Sequence, residues 1–123
     1  FIPCYGEVTL NDYTRPDSWM DSMRRYVDDP YQLPNFYITP NVTPDTPPAF
    51  IWHTADDQVV SVQDSLALGA ALAKNGVPFE MHIFPHGPHG LGLAENAPDV
   101  AQWTGLCRRW LRGLGYAQQL QTK

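Results

Sequence analysis

Ala49-Phe50-Ile51-Trp52-His53-Thr54, running into Ala55-Asp56-Asp57-Gln58-Val59-Val60, is the stretch on which the fold turns. Its first six residues carry no carboxylate or amine and are apolar at both odd and even positions. That pattern fits a strand covered on both faces, as in a parallel sheet, rather than one with a wet side. Downstream, Ser61 is placed to cap a helix, Asp64 falls in its first turn, Leu68 and Leu72 share a face, and Asn75-Gly76 supplies the stop. Phe79-Glu80-Met81-His82-Ile83-Phe84 reads as a second strand. After a loop rich in Gly and Pro, Asn96 and Pro98 open a last helix. Its Val100, Trp103, Cys107, Trp110, Leu111 and Leu114 form one apolar stripe, with Arg108, Arg109 and Arg112 toward its carboxyl end.

Strand, helix, strand, helix is an order that predicts a parallel, right-handed α/β sheet, because parallel neighbours need a crossover long enough to hold a helix. Upstream, Phe1 to Val8 is expected to form a further short buried strand. Residues 11–48 change composition to Pro, Asp, Asn and Thr, with Trp19, Met20, Met23 and Tyr26 or Val27 at helical spacing behind Pro16 and Asp17. This segment is expected to be an excursion, or cap-like insertion, over one edge of the sheet. Residues 49–114 then form the core of a partial domain spanning 1–123. About three strands are few for a sheet covered on both faces, so further strands are expected before Phe1, where the chain starts without Met. An open strand edge and an uncovered apolar face would seek the missing N-terminal part or a second chain.

Composition excludes several classes. The 123 residues suit one domain, and no apolar run approaches the length of about 18 residues that a spanning helix needs. A net charge of -5 with eight scattered Lys and Arg leaves no basic stripe for nucleic acid. Cys4 and Cys107 match no metal or redox spacing and read as buried small hydrophobes, with a disulfide as the other option. Asn41-Val42-Thr43 fits a glycosylation sequon, a short and common motif. The expectation is a soluble protein without membrane contact, its compartment open and cytoplasm favoured over secretion.

Ligands of open parallel sheets gather beyond the carboxyl ends of the strands. Two loops leave there: His53 to Val60, and Pro85-His86-Gly87-Pro88-His89-Gly90-Leu91-Gly92. One crossover separates Asp56 from His89 and would bring them side by side. A carboxylate on Nδ1 fixes the tautomer of an imidazole and stabilises its protonated form, so that Nε2 can take a proton from a serine hydroxyl. Read alone, Asp56 is equally a turn residue after a strand, His89 a solvated loop histidine, and Asp57 a residue bonding the loop backbone or the helix start. A metal is not expected on His82, His86 and His89. A strand rising about 3.3 Å per residue would carry His86 roughly 13 Å from His82, whereas zinc holds its ligands at about 2 Å.

The string Thr46 to Val60, together with His82-Ile83-Phe84-Pro85-His86-Gly87-Pro88-His89-Gly90-Leu91-Gly92-Leu93-Ala94, resembles the C-terminal part of α/β-hydrolase esterases of the acetyl-esterase and acetylxylan-esterase-like group, which are similar to prolyl oligopeptidase catalytic domains. The resemblance runs from about Phe1 to Leu114. It implies the C-terminal portion of an α/β-hydrolase fold, a Ser-His-Asp triad with Asp56 as acid and His89 as base, small-acyl ester substrates, and no cofactor. It further implies that Trp19, Met23, His86 and Val59 are candidates for substrate contact. Ser18, Ser22, Ser61 and Ser65 all lack the glycines of a G-x-S-x-G elbow, so the nucleophile is expected outside this chain. The alternatives are a serine peptidase of the prolyl-oligopeptidase type and a non-catalytic α/β module binding a small ligand or partner. The missing-nucleophile reading predicts that the 123-residue chain alone hydrolyses p-nitrophenyl acetate no faster than its His89→Ala variant; His89-dependent turnover would contradict it.

Overall fold

The computed structural model describes residues 1–6 and 37–116. The expected excursion therefore falls mostly outside the described residues, Trp19 and Met23 included. Within them, Thr39–Asn41 forms a 3-10 turn, followed by β1 (Ala49–Thr54), α1 (Val62–Lys74), β2 (Phe79–Phe84) and α2 (Pro98–Gly113). No described helix is long and apolar enough to cross a membrane.

Every residue of β1 is buried, and the faces divide by parity. Ala49 and Ile51 pack with Leu68 and Leu72 of α1 and with Val77. Phe50 and Trp52 pack with Ala94 and with Val100 and Cys107 of α2. One helix therefore covers each face, which is why the strand alternates nowhere between apolar and charged residues. Trp52 stacks on Trp103, centroids 5.3 Å apart, and Phe50 meets Trp110 at 5.8 Å. Leu114 ends the stripe of α2 at its C-cap and is exposed.

α1 begins where the sequence places it. The Ser61 hydroxyl accepts the Gln63 amide at 3.2 Å, satisfying one of the donors left free at a helix start. β1 and β2 pair in parallel, from Ala49 opposite Phe79 to Thr54 opposite Phe84. Both strands thus end at the same level, and the Ala55 amide continues the ladder to the Phe84 carbonyl at 2.8 Å.

Of the expected strand over Phe1–Val8, the described residues 1–6 show one bridge, and Glu7 and Val8 lie outside the described residues. Cys4 makes an isolated parallel bridge to Trp52, the Phe50 amide donates to the Phe1 carbonyl at 3.0 Å, and Tyr5 donates to the Trp52 carbonyl at 2.9 Å. The segment runs beside β1 on the side away from β2. Tyr5, next to the bridge, takes a left-handed conformation with φ of 40°. The described sheet has two strands and this one bridge, against about three strands expected.

Leu68 is wholly buried between α1 and the odd face of β1. Leu68→Ala is expected to destabilise the fold by about 2–5 kcal/mol, read as a lower urea midpoint at unchanged slope.

Candidate active site

The common end of β1 and β2 launches two loops side by side, 55–61 and 85–97. Among the described residues, four hydrogen bonds involving side chains tie them together. Thr54 donates from Oγ1 to the Gly87 carbonyl at 2.7 Å, and the Gly87 amide donates to Asp56 Oδ1 at 2.8 Å. The peptide units at Gly87 are thus gripped through both N–H and C=O. A Cβ at that position would lie 2.8 Å from Thr54 Cγ2 and 2.9 Å from Leu91 Cδ1, so only glycine lets the loop approach this closely. The third tie joins His89 Nδ1 to Asp57 Oδ2 at 2.9 Å.

That bond corrects the expected pairing of Asp56 with His89. The two loops do bring a carboxylate to the imidazole, but the carboxylate is that of Asp57. Asp56 turns outward instead. Its Oδ2 meets His86 Nδ1 at 3.0 Å, its side chain is 47% exposed, and that of His86 is 85% exposed. The reason lies in the turn after β1. Adjacent residues project to different sides, and Asp57 is the one whose Oδ1 can accept the amides of Val59, at 2.8 Å, and Val60, at 3.0 Å. This loop-bonding role was one expectation for Asp57; its second oxygen, facing His89, was not legible in the sequence.

The Asp57 side chain has no exposed surface. Burial pushes its carboxyl up, but the Val59 and Val60 amides and His89 outweigh that effect and hold it below the ordinary Asp value. Asp56 is also held below the ordinary value, chiefly by His86 and then by the Gly87 amide. Both carboxylates are therefore ionised at neutral pH.

His89 presents its ring edge-to-face to Tyr5, centroids 5.1 Å apart. Tyr5 packs in turn on Trp52 at 4.8 Å, and its hydroxyl accepts the Gly92 amide at 3.1 Å. Tyr5 thus braces the His89 imidazole from the N-terminal segment, a contact no sequence signal marked except an aromatic beside a buried strand. Gly90, with φ of 81°, turns the chain immediately after His89. Among the described residues no hydrogen bond occupies His89 Nε2, and the side chain is 31% exposed. The imidazole is oriented on one nitrogen and available on the other.

The remaining candidates scatter. His82 Nε2 binds Glu80 at 2.7 Å, so His82, His86 and His89 each take a different carboxylate. Val59 is an exposed residue of the loop after β1, and His86 lines a shallow surface hollow with Asp56, Gly87 and Pro88. Neither described serine reaches His89: Ser61 caps α1, and Ser65 is buried against His53 with 2.7 Å between Oγ and Nδ1.

Comparison with known proteins agrees with this architecture. Residues 6–111 match the model of the prolyl oligopeptidase family. Endo-1,4-beta-xylanase B of Butyrivibrio fibrisolvens is 36% identical over 104 residues, which span 85% of this chain and 16% of that protein. Among solved structures, the acetyl ester-xyloside bifunctional hydrolase of Caldicellulosiruptor lactoaceticus superposes with a TM-score of 0.83 at 39% identity, covering 95% of this chain and 43% of that one. The carboxylesterase Cest-2923 of Lactobacillus plantarum gives 0.77 at 28% identity, covering 95% and 45%. The chain thus spans less than half the length of these relatives, and its strands and helices form part of an α/β-hydrolase domain. With the match running through both site loops, the chain belongs to the prolyl oligopeptidase family.

Proposed function

We propose that this chain supplies the acid and the base, Asp57 and His89, of a serine carboxylic-ester hydrolase acting on small acyl groups such as acetyl. One observation carries the reading: a buried, ionised carboxylate on Nδ1 of an imidazole whose Nε2 is open, at the carboxyl edge of a parallel sheet. The names of the similar hydrolase and carboxylesterase structures support ester chemistry and acetyl as the acyl group.

The chemistry follows from the geometry. A serine hydroxyl, brought by residues outside this chain, attacks the ester carbonyl while His89 Nε2 takes its proton. Asp57 holds the Nδ1 proton, fixing the tautomer and stabilising the imidazolium. His89 then returns the proton to the leaving alcohol, and water, activated by the same nitrogen, releases the acid. Asp56 clamps the base loop at Gly87 without touching the imidazole of His89.

The test uses this chain joined to the serine-bearing part of the fold. His89→Ala should lower kcat for p-nitrophenyl acetate by about 10⁶-fold and Asp57→Asn by about 10⁴-fold, the losses that follow removal of a triad base and a triad acid. Asp56→Asn keeps an acceptor for the Gly87 amide and should lower it less than about tenfold, well short of a triad loss. A larger loss at Asp56 than at Asp57 would return the acid role to Asp56. Faster cleavage of a prolyl-peptide anilide than of the acetyl ester would favour the peptidase reading.

The depressed Asp57 carboxyl also sets a pH dependence. Its stabilising contribution is present above the unfolded Asp value of about 3.9 and is lost as pH falls through the lower folded value. The stability difference between the wild-type chain and Asp57→Asn should therefore be greatest at neutral pH and shrink below about pH 4. Urea titrations at several pH values measure it, and a difference that grows on acidification would contradict the assignment.

A further inference from the structure

His53 is a fully buried imidazole that the proposed mechanism leaves unused. It stands on the odd face of β1, two residues after Ile51, and so points to the α1 side of the sheet. There its Nδ1 meets Ser65 Oγ of α1 at 2.7 Å. Its Nε2 lies 3.0 Å from the Val60 carbonyl oxygen and 3.3 Å from Asp57 Oδ2. Both of those oxygens offer only lone pairs at neutral pH, so Nε2 must carry a hydrogen. Nδ1 of the neutral ring then accepts from the Ser65 hydroxyl, and the tautomer is set by the surroundings.

The consequence concerns the Asp57 carboxylate. Oδ1 takes the amides of Val59 and Val60, and Oδ2 lies between two imidazoles, His89 at 2.9 Å and His53 at 3.3 Å. The His53 N–H bonds the Val60 carbonyl, the far end of the turn whose amides hold Oδ1, and presents its positive end to Oδ2. One rigid ring, fixed to α1 from behind, thereby braces both the turn and the carboxylate inside it.

We propose that His53 is a positioning residue for the Asp57–His89 pair, locking the acid loop to α1 through Ser65 and fixing the Asp57 carboxylate in the orientation that receives His89 Nδ1. The inference rests on Asp57 and His89 being the acid and base. Core packing alone would require only a side chain of the same volume. Positioning requires a donor at the place of Nε2.

The side-chain nitrogen of Gln reaches about as far from the backbone as Nε2 of His, whereas that of Asn reaches only as far as Nδ1. His53→Gln should therefore keep the donor to Val60 and Asp57, and His53→Asn should lose it. In the chain joined to the serine-bearing part of the fold, His53→Asn should lower kcat by about 10–100-fold, the loss typical when the partner that orients a metal ligand is removed. KM should hold within about twofold, and His53→Gln should recover most of kcat. In the 123-residue chain, the carbon-13 titration of the Asp57 carboxyl should move upward in His53→Asn and stay near wild type in His53→Gln. The downfield Nδ1 proton of His89 should weaken in the Asn variant alone.

Equal behaviour of the Gln and Asn variants would overturn the proposal, leaving His53 a core residue. So would a nitrogen-15 spectrum of the wild-type chain showing His53 Nε2 without hydrogen, a measurement that needs no variant to fold. If His89→Ala and Asp57→Asn leave ester turnover intact while Gln and Asn still differ in the Asp57 titration, the bracing stands and the catalytic reading falls.

Discussion

A carboxylate removed from water must have its lone pairs met by protein donors, or it will not stay ionised. Asp57 is that group. Two backbone amides, His89 and the positive edge of His53 surround it, and they reach it from the turn after β1, the loop after β2 and the body of β1. The requirement to satisfy one buried charge therefore ties together the parts of the fold that the proposed chemistry needs.

Those parts can meet because of how β1 is buried. The strand has no wet face, so its odd and even residues are committed to different helices: Ile51 and His53 look toward α1, Phe50 and Trp52 toward α2. Parallel pairing in equal register then ends β1 and β2 at one level, and the loops that follow have no other place to go. The Asp57–His89 bond is a product of register as much as of side-chain affinity. A shift of one residue would turn His53 away from Ser65 and carry Asp57 away from His89.

Asp56 and Asp57 divide the work at this edge. Asp56, half exposed, clasps the loop after β2 at the Gly87 amide and His86; Asp57, buried, takes His89. Neighbouring residues of one type can thus differ in role entirely through solvation and the donors within reach. The likeness to hydrolase structures extends over nearly the whole chain, and both loops fall inside the family match.

Much of the fold was legible in residue order. The uninterrupted apolar run of β1, the Ser61 cap, the stop at Asn75-Gly76 and the stripe of α2 follow from local propensity and periodicity, which act over a few residues. Sheet topology marked two loops at one edge, one bearing Asp56 and Asp57 and the other bearing glycines with His86 and His89, and the family resemblance then paired Asp56 with His89. That Asp57 is the carboxylate on His89 lay beyond it, because the difference arises from the path of a turn and from amides that converge only in three dimensions. Nor could it show Tyr5 against His89, or His53 behind Asp57, since those contacts join segments that chain order keeps apart or hides within a strand. Local sequence determined the elements and the chemistry available; burial and register decided which carboxylate meets which imidazole.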